Sequence, residues 1–234
     1  MTDLVQVVHI CKQYSSVMAV NDLSFRVHQG EIFALLGPNG AGKTTTVRML
    51  TSILQPDSGT ISFNSEGFDT SRLGYLPEER GVYTDQPIIK SLVYFGKLRG
   101  MSRKDATSEA TRWLERLELG DRLKDKASAL SKGNQQKVQF IASILHKPTF
   151  AILDEPFSGL DPVNQSLFLD IIEELRADGM TVLLSAHQMN LVERIADRIM
   201  LINQGAELLY GTLDEIRAMI DASERIVLTT EHTD

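Results

Sequence analysis

A single cysteine, Cys11, occurs in 234 residues, so no internal disulfide can form and packing alone must hold the core. Long apolar runs are missing as well. The longest, such as Phe33 to Leu36 and Val182 to Leu184, fall far short of the roughly 20 residues that cross a bilayer, and the chain is not expected to form a pore itself. Basic residues are outnumbered: Lys and Arg total 24 against 31 Asp and Glu, a net charge of −7. That balance predicts no general attraction to nucleic acid or anionic lipid, so membrane contact is expected through a protein partner. The opening Met1-Thr2-Asp3 lacks the basic and apolar stretches of a secretory signal. Together with the lone cysteine, this predicts a cytoplasmic, reducing location. Internal repeats and low-complexity tracts are absent too.

What remains is ample for one large domain, or a domain carrying a subdomain, with 42% hydrophobic residues. Leu4 to Ile10, Leu23 to His28 and Thr60 to Phe63 are short and rich in alternating or β-branched apolar residues. With turn signals such as Gln55-Pro56-Asp57-Ser58-Gly59 between them, they predict a small, mostly antiparallel sheet. Ile32 to Leu36, Phe150 to Leu153, Thr181 to Leu184 and Arg198 to Ile202 are continuously apolar, as in parallel strands buried on both faces. Helices are predicted over Lys43 to Leu54 and Pro162 to Ala177. The block Ile88 to Leu119, with Leu92, Phe95, Trp113, Leu114 and Leu117 at helical spacing, reads as wholly helical and as a subdomain of its own. The basic cluster Arg99 to Lys104 is most simply a solvated loop.

Gly37-Pro38-Asn39-Gly40-Ala41-Gly42-Lys43-Thr44 matches G-x-x-x-x-G-K-[ST] in full, between a predicted strand and a predicted helix. Glycines let successive backbone amides face phosphate oxygens, and the helix start adds roughly half a positive charge. Lys43 is then expected at the β- and γ-phosphates, and Thr44 at Mg²⁺. A glycine-rich turn capping a helix is the plainer alternative. Phe150-Ala151-Ile152-Leu153-Asp154-Glu155-Pro156 sets two carboxylates at the end of a buried strand, where ligands gather in open α/β sheets. Such a pair is costly unless it faces a cation. Asp161-Pro162 has the pattern of an N-cap followed by proline at the first helical position. Leu130-Ser131-Lys132-Gly133-Asn134-Gln135-Gln136-Lys137, on spacing alone, is a serine-capped amphipathic helix.

These segments occur together in one superfamily, and the chain resembles the ATP-binding subunit of an ABC transporter. The resemblance runs from Tyr14 to His187. It implies a P-loop NTPase (RecA-like) α/β core, a small antiparallel β-subdomain and an inserted α-helical subdomain at about 86–145, all within a single ATP-binding domain spanning 1–234. It further implies that Asp154 holds Mg²⁺, that Glu155 is the general base polarising the attacking water, and that His187 contacts the γ-phosphate and orders that water. Tyr14 stands where the family's adenine-stacking aromatic usually lies, although it could equally pack at the edge of the small sheet. Thr45 joins the loop residues Gly37 to Thr44 in the expected ATP contacts. Ser131, Gly133 and Asn134 of the signature segment would bind ATP held by a second copy of the chain, so no single chain completes a site. Ser158 to Asp161 would cross to that second copy, a role compatible with capping by Asp161.

Three departures narrow the resemblance. Lys132-Gly133-Asn134 replaces the more usual Gly-Gly-Gln, Leu76-Pro77-Glu78-Glu79-Arg80-Gly81 stands where a glutamine-bearing loop is expected, and Phe157 precedes Ser158. Together they look like the sodium-efflux and antibiotic-export type. Glu78 is then a metal contact, and in a closed dimer it could face Lys132 of the second copy as an electrostatic latch. The Glu78 to Asp85 loop, with Tyr83, and the helical block imply a docking groove for an integral-membrane permease. The resemblance thus implies an ATP-hydrolysing homodimer that closes on two Mg²⁺-ATP and powers a permease at the cytoplasmic face of the membrane. An importer ATPase and a non-transport ABC ATPase are the alternatives. Residues 222–234, with the strand-like Ile226 to Thr230, are expected to begin a C-terminal extension.

Overall fold

The computed structural model describes residues 2–63, 72–79, 81 and 84–223. Tyr83 and the stretch Ile226 to Thr230 lie outside these residues, as does most of the expected extension. Strands β1 (Asp3–Tyr14) and β2 (Val17–His28) pair antiparallel, and alternate residues such as Val5, Val7, Val27 and Phe25 are buried. β1 runs beyond both predicted ends, while β2 starts ahead of the predicted Leu23 and ends at His28 as predicted. The chain then enters β3 (Ile32–Leu36), turns through the glycine-rich loop into α1 (Lys43–Leu50), and returns as β4 (Ser58–Phe63) on the other side of β1. The three-stranded order is β2-β1-β4. α1 stops at Leu50 rather than Leu54. The Thr51 hydroxyl donates to the Val47 and Arg48 carbonyls, and Ser52 turns the chain with φ 58°.

Strand β5 (Leu73–Leu76) is followed by helices α2 (Ile88–Leu98), α3 (Arg103–Arg116) and α4 (Lys132–Ile144). The block Ile88 to Leu119 is thus two helices, joined within the Arg99 to Lys104 cluster that the sequence marks as a loop. Gly100 sits at φ 83°, its N–H donates to the Lys97 carbonyl and the Met101 N–H to Gly96, a Schellman stop. Ser102 then caps α3 by accepting from the Asp105 N–H at 3.1 Å. Arg99 to Ser102 form the connection, whereas Arg103 and Lys104 begin α3. Leu117 and Leu119 are buried in the turn beyond it.

The second sheet collects β6 (Phe150–Asp154), β7 (Thr181–Ala186), β8 (Arg198–Asn203) and β9 (Ala206–Thr212), joined by α5 (Pro162–Ala177) and the single turn α6 (Met189–Val192) and followed by α7 (Leu213–Ser223). Its order is β5-β6-β7-β3-β8-β9, parallel except for β9. Two of these strands, β5 and β9, are absent from the sequence reading. β5 is only four residues long and contains Gly74, whose missing Cβ lets the Ser143 carbonyl of α4 lie close, at 2.4 Å from where that atom would be. β9 is an edge strand with few buried residues.

Both faces of the sheet are covered. Ile32, Ala34 and Leu36 of β3 join the core with α4 and α5, while Phe33 and Leu35 join the core beneath the antiparallel sheet and α1. Phe140 of α4 and Phe168 of α5, both fully buried, meet at 4.5 Å between ring centroids and tie the helical insertion to the sheet layer. Each such side chain contributes roughly 1.5 to 3 kcal/mol by burial.

Candidate functional site

β6, β7 and β3 are neighbours, so the loops after their C-terminal ends converge on one edge of the sheet. The loop after β3 is Gly37 to Gly42. Gly42 holds φ 106° against the β2 backbone, where a Cβ would stand 2.3 Å from the Ala19 carbonyl. No side chain caps α1 and its first turn carries no acid. Its free N–H donors thus face the loop unopposed. Pro38, Asn39 and Gly40 form an exposed crest, while Ala41 and Lys43 are buried. The Lys43 ammonium folds back to donate to the Gly37 and Pro38 carbonyls at 2.8 and 3.2 Å.

Asp154 ends β6 and Glu155 follows it. The Asp154 carboxyl is fully buried, accepts from the Ser185 hydroxyl of β7, and leaves Oδ2 without a partner among the described residues. Burial pushes this carboxyl above the usual carboxylate range, and the charges of Glu78 and Glu155 add to that. The Ser185 and Thr44 hydroxyls pull it part of the way back. Thr44 also donates to Glu78 Oε2 at 3.1 Å. Thr44, Glu78 and Asp154 therefore form an all-oxygen donor set with an orphaned buried carboxylate oxygen, which suits a hard cation such as Mg²⁺. Among the described residues no three His, Cys, Asp or Glu side chains gather to cage a metal unaided. Two carboxylates completed by substrate phosphates is the usual arrangement for that ion.

Glu155 lies between two other expected site residues. Its Oε1 is 3.3 Å from Lys43 Nζ, an ion pair out of hydrogen-bond alignment, and its Oε2 is 2.9 Å from His187 Nδ1. The Glu155 backbone is held at φ 50°, a conformation costing about 1 to 2 kcal/mol for a side-chain-bearing residue. Three contacts hold it there. Its N–H donates to Ser185 Oγ at 3.0 Å, and its carbonyl accepts from the Ser158 N–H and from Gln136 of α4. Strain stored at a carboxylate between a lysine and a histidine is common where chemistry occurs.

Ser131 caps α4, accepting from the Asn134 N–H at 3.3 Å, and it is exposed together with Lys132. Among the described residues no hydrogen bond or ion pair joins Ser131, Gly133 or Asn134 to the Gly37 to Thr44 loop. They lie instead beside the Ser158 to Asp161 loop: a Cβ on Gly133 would be 3.0 Å from the Gly159 carbonyl. Asp161 caps α5 through the Val163 and Asn164 N–H groups, both at 3.0 Å. Tyr14 ends β1 with its ring exposed, and Thr45 is partly buried in the first turn of α1. Sequence reasoning missed Ser185 and Gln136, which position Asp154 and Glu155. The signal for Ser185 was a lone hydroxyl in the apolar run of β7, and Gln136 gave none. Lys137 was missed too: buried in α4, it donates to the Leu117 carbonyl at 3.0 Å, and burial lowers its ammonium below the usual lysine range.

A parallel sheet with a phosphate-binding loop, an adjoining pair of strand-end carboxylates and an inserted helical layer defines a P-loop ATPase of the ATP-binding-cassette class. The ABC transporter family model matches residues 20–158. An uncharacterized ABC transporter ATP-binding protein of Methanocaldococcus jannaschii is 43% identical over 91% of this chain and 79% of that protein. The Nod factor export ATP-binding protein I of Burkholderia lata is 35% identical over 86% and 68%. A solved structure of an ATP-binding subunit of an ABC transporter superposes with a TM-score of 0.85, 31% identity and 93% coverage of both chains. This chain belongs to the ABC transporter ATP-binding family, whose members bind ATP and work with membrane permease components.

Proposed function

We propose that this chain hydrolyses ATP as a homodimer and so drives an integral-membrane permease, as an export system by its kinship with a Nod factor export protein. The observation that carries hydrolysis is Glu155, strained and placed within 3.3 Å of Lys43 and 2.9 Å of His187. In this reading ATP lies along the Gly37 to Thr44 loop with its adenine on Tyr14. The incoming γ-phosphate draws Lys43 from the loop carbonyls, and Glu155 accepts the proton of the attacking water while His187 positions it. Thr44, Glu78 and Asp154 would hold Mg²⁺, which neutralises phosphate charge. Ser131, Gly133 and Asn134 serve the ATP of the second copy, because their exposed helix start belongs to no site within one chain. No described helix is long and apolar enough to cross a membrane, and attachment to its cytoplasmic face runs through the permease.

Mixing Lys43→Ala with Ser131→Ala subunits tests the shared site. Each variant alone should be nearly inactive, and the mixture should regain at most one complete site per heterodimer. Full activity of either variant alone refutes the shared site.

A further inference from the structure

The net charge of −7 conceals a local reversal. Residues 86–104 contain Lys90, Lys97, Arg99, Arg103, Lys104 and no acid, a net of +5 that leaves −12 on the rest of the chain. The fold gathers much of this charge on one face. Between α2 and the start of α3 lies an open groove of about 390 Å³, with Ile89 and Val93 on its floor and Lys90, Tyr94, Lys97 and Arg103 around it. Those four rim residues are all exposed, and Leu98 at the end of α2 is 63% exposed. Among the described residues Lys90, Lys97 and Arg103 form no ion pair, although acids outnumber bases in the chain.

We propose that this basic, part-apolar face of α2 and α3 rests on the anionic phospholipid headgroups of the bilayer beside the permease. The inference rests on the subunit working at a membrane, and it adds a lipid contact to the protein one. Charge decides between the two possible occupants. Cytoplasmic loops of membrane proteins carry an excess of Lys and Arg, so a permease loop would meet this face with like charge. Anionic headgroups supply the missing counter-charge, and an exposed tyrosine, Tyr94, ringed by Lys90, Lys97 and Arg103 suits the polar-apolar boundary of a leaflet. The cluster expected to be a solvated loop instead has Arg103 on a helix facing the same groove as Lys90 and Lys97.

Flotation of the full chain with vesicles tests this without permease or ATP, so its failure is separable from failure of the ATPase reading. Binding is expected to vesicles of phosphatidylcholine with roughly a third phosphatidylglycerol, not to phosphatidylcholine alone, and should vanish at high salt, where charges are screened beyond a few ångströms. Each cation near such a surface contributes about five-fold to partitioning. The Lys90→Gln/Lys97→Gln/Arg103→Gln variant should therefore bind about 100-fold less, with unchanged basal ATPase and circular dichroism. Equal binding to both vesicle types, no binding to either, or wild-type binding by the triple variant overturns the proposal. So does a photo-crosslinker replacing Tyr94 that captures permease and no phospholipid in native membranes.

Discussion

Glu155→Gln should move two measurements in opposite directions. The side chain lies 3.3 Å from Lys43 of the phosphate loop and 2.9 Å from His187. At an effective dielectric constant near 20, a charge pair at that distance attracts by about 5 kcal/mol before desolvation is subtracted. Desolvation of two buried groups removes most of this, so a net of about 1 kcal/mol holds Lys43 away from an incoming phosphate. Glutamine keeps the shape and deletes the charge. ATP should then bind about five-fold more tightly, by calorimetry on the variant, because Lys43 is freed and a repelling carboxylate is gone. Single-turnover phosphate release should fall by about 10² to 10⁴, the usual cost of losing a general base. Near-normal turnover removes Glu155 from the base role. A parallel loss of affinity and rate would mean that the Lys43–Glu155 pair builds the loop rather than competing with its ligand.

Acid should weaken the fold through His146, and the electrostatic latch can be measured as a coupling. Burial, with Arg99 adding repulsion against a hydrogen bond to the Leu73 carbonyl, lowers the His146 imidazole from 6.5 to about 4. Neutral in the fold and protonated in the unfolded chain below pH 6.5, it gives stability that is intact above that value and lost as pH falls towards 4. Allowing for partial solvent access, the loss is about 1 to 2 kcal/mol by urea titration, and His146→Gln should flatten it; an unchanged slope refutes the assignment. Glu78→Gln and Lys132→Gly should show a coupling of about 1 kcal/mol in ATP-driven dimerisation if the two charges meet across the dimer, and effects additive within about 0.3 kcal/mol sink that latch.

Much of the core and the chemistry could be read from residue order because the controlling forces are local or periodic. Continuous apolar runs at Ile32 to Leu36 and Thr181 to Leu184 meant burial on both faces, and the structure puts those strands side by side. Pro162 to Ala177 announced both its ends, by Asp161 capping and by its period. The phosphate loop is legible because tight turns beside a ligand demand glycine at set positions. The break between α2 and α3 was equally local, a Gly100 stop followed by a Ser102 cap, and it falls within the basic cluster Arg99 to Lys104 read as a loop. Edge strands β5 and β9 carry too little apolar pattern to announce themselves, and only pairing with β6 and β8 makes them strands.

By itself, then, the sequence determined the residue types: a glycine-rich loop with Lys43, two carboxylates after an apolar strand, and a serine ready to cap a helix. Tertiary structure decided their company. Strand order carries Glu155 to Lys43 across more than a hundred residues of chain and to His187 across 32, and it sets Ser185 beneath Asp154 and Gln136 beneath the strained Glu155 backbone. It also turned Lys90, Lys97 and Arg103 from scattered surface charges into one face. Spacing along a chain fixes which side of its own helix or strand a residue occupies. Which other segment it meets is set by packing energy summed over the whole core, and no local pattern contains that sum.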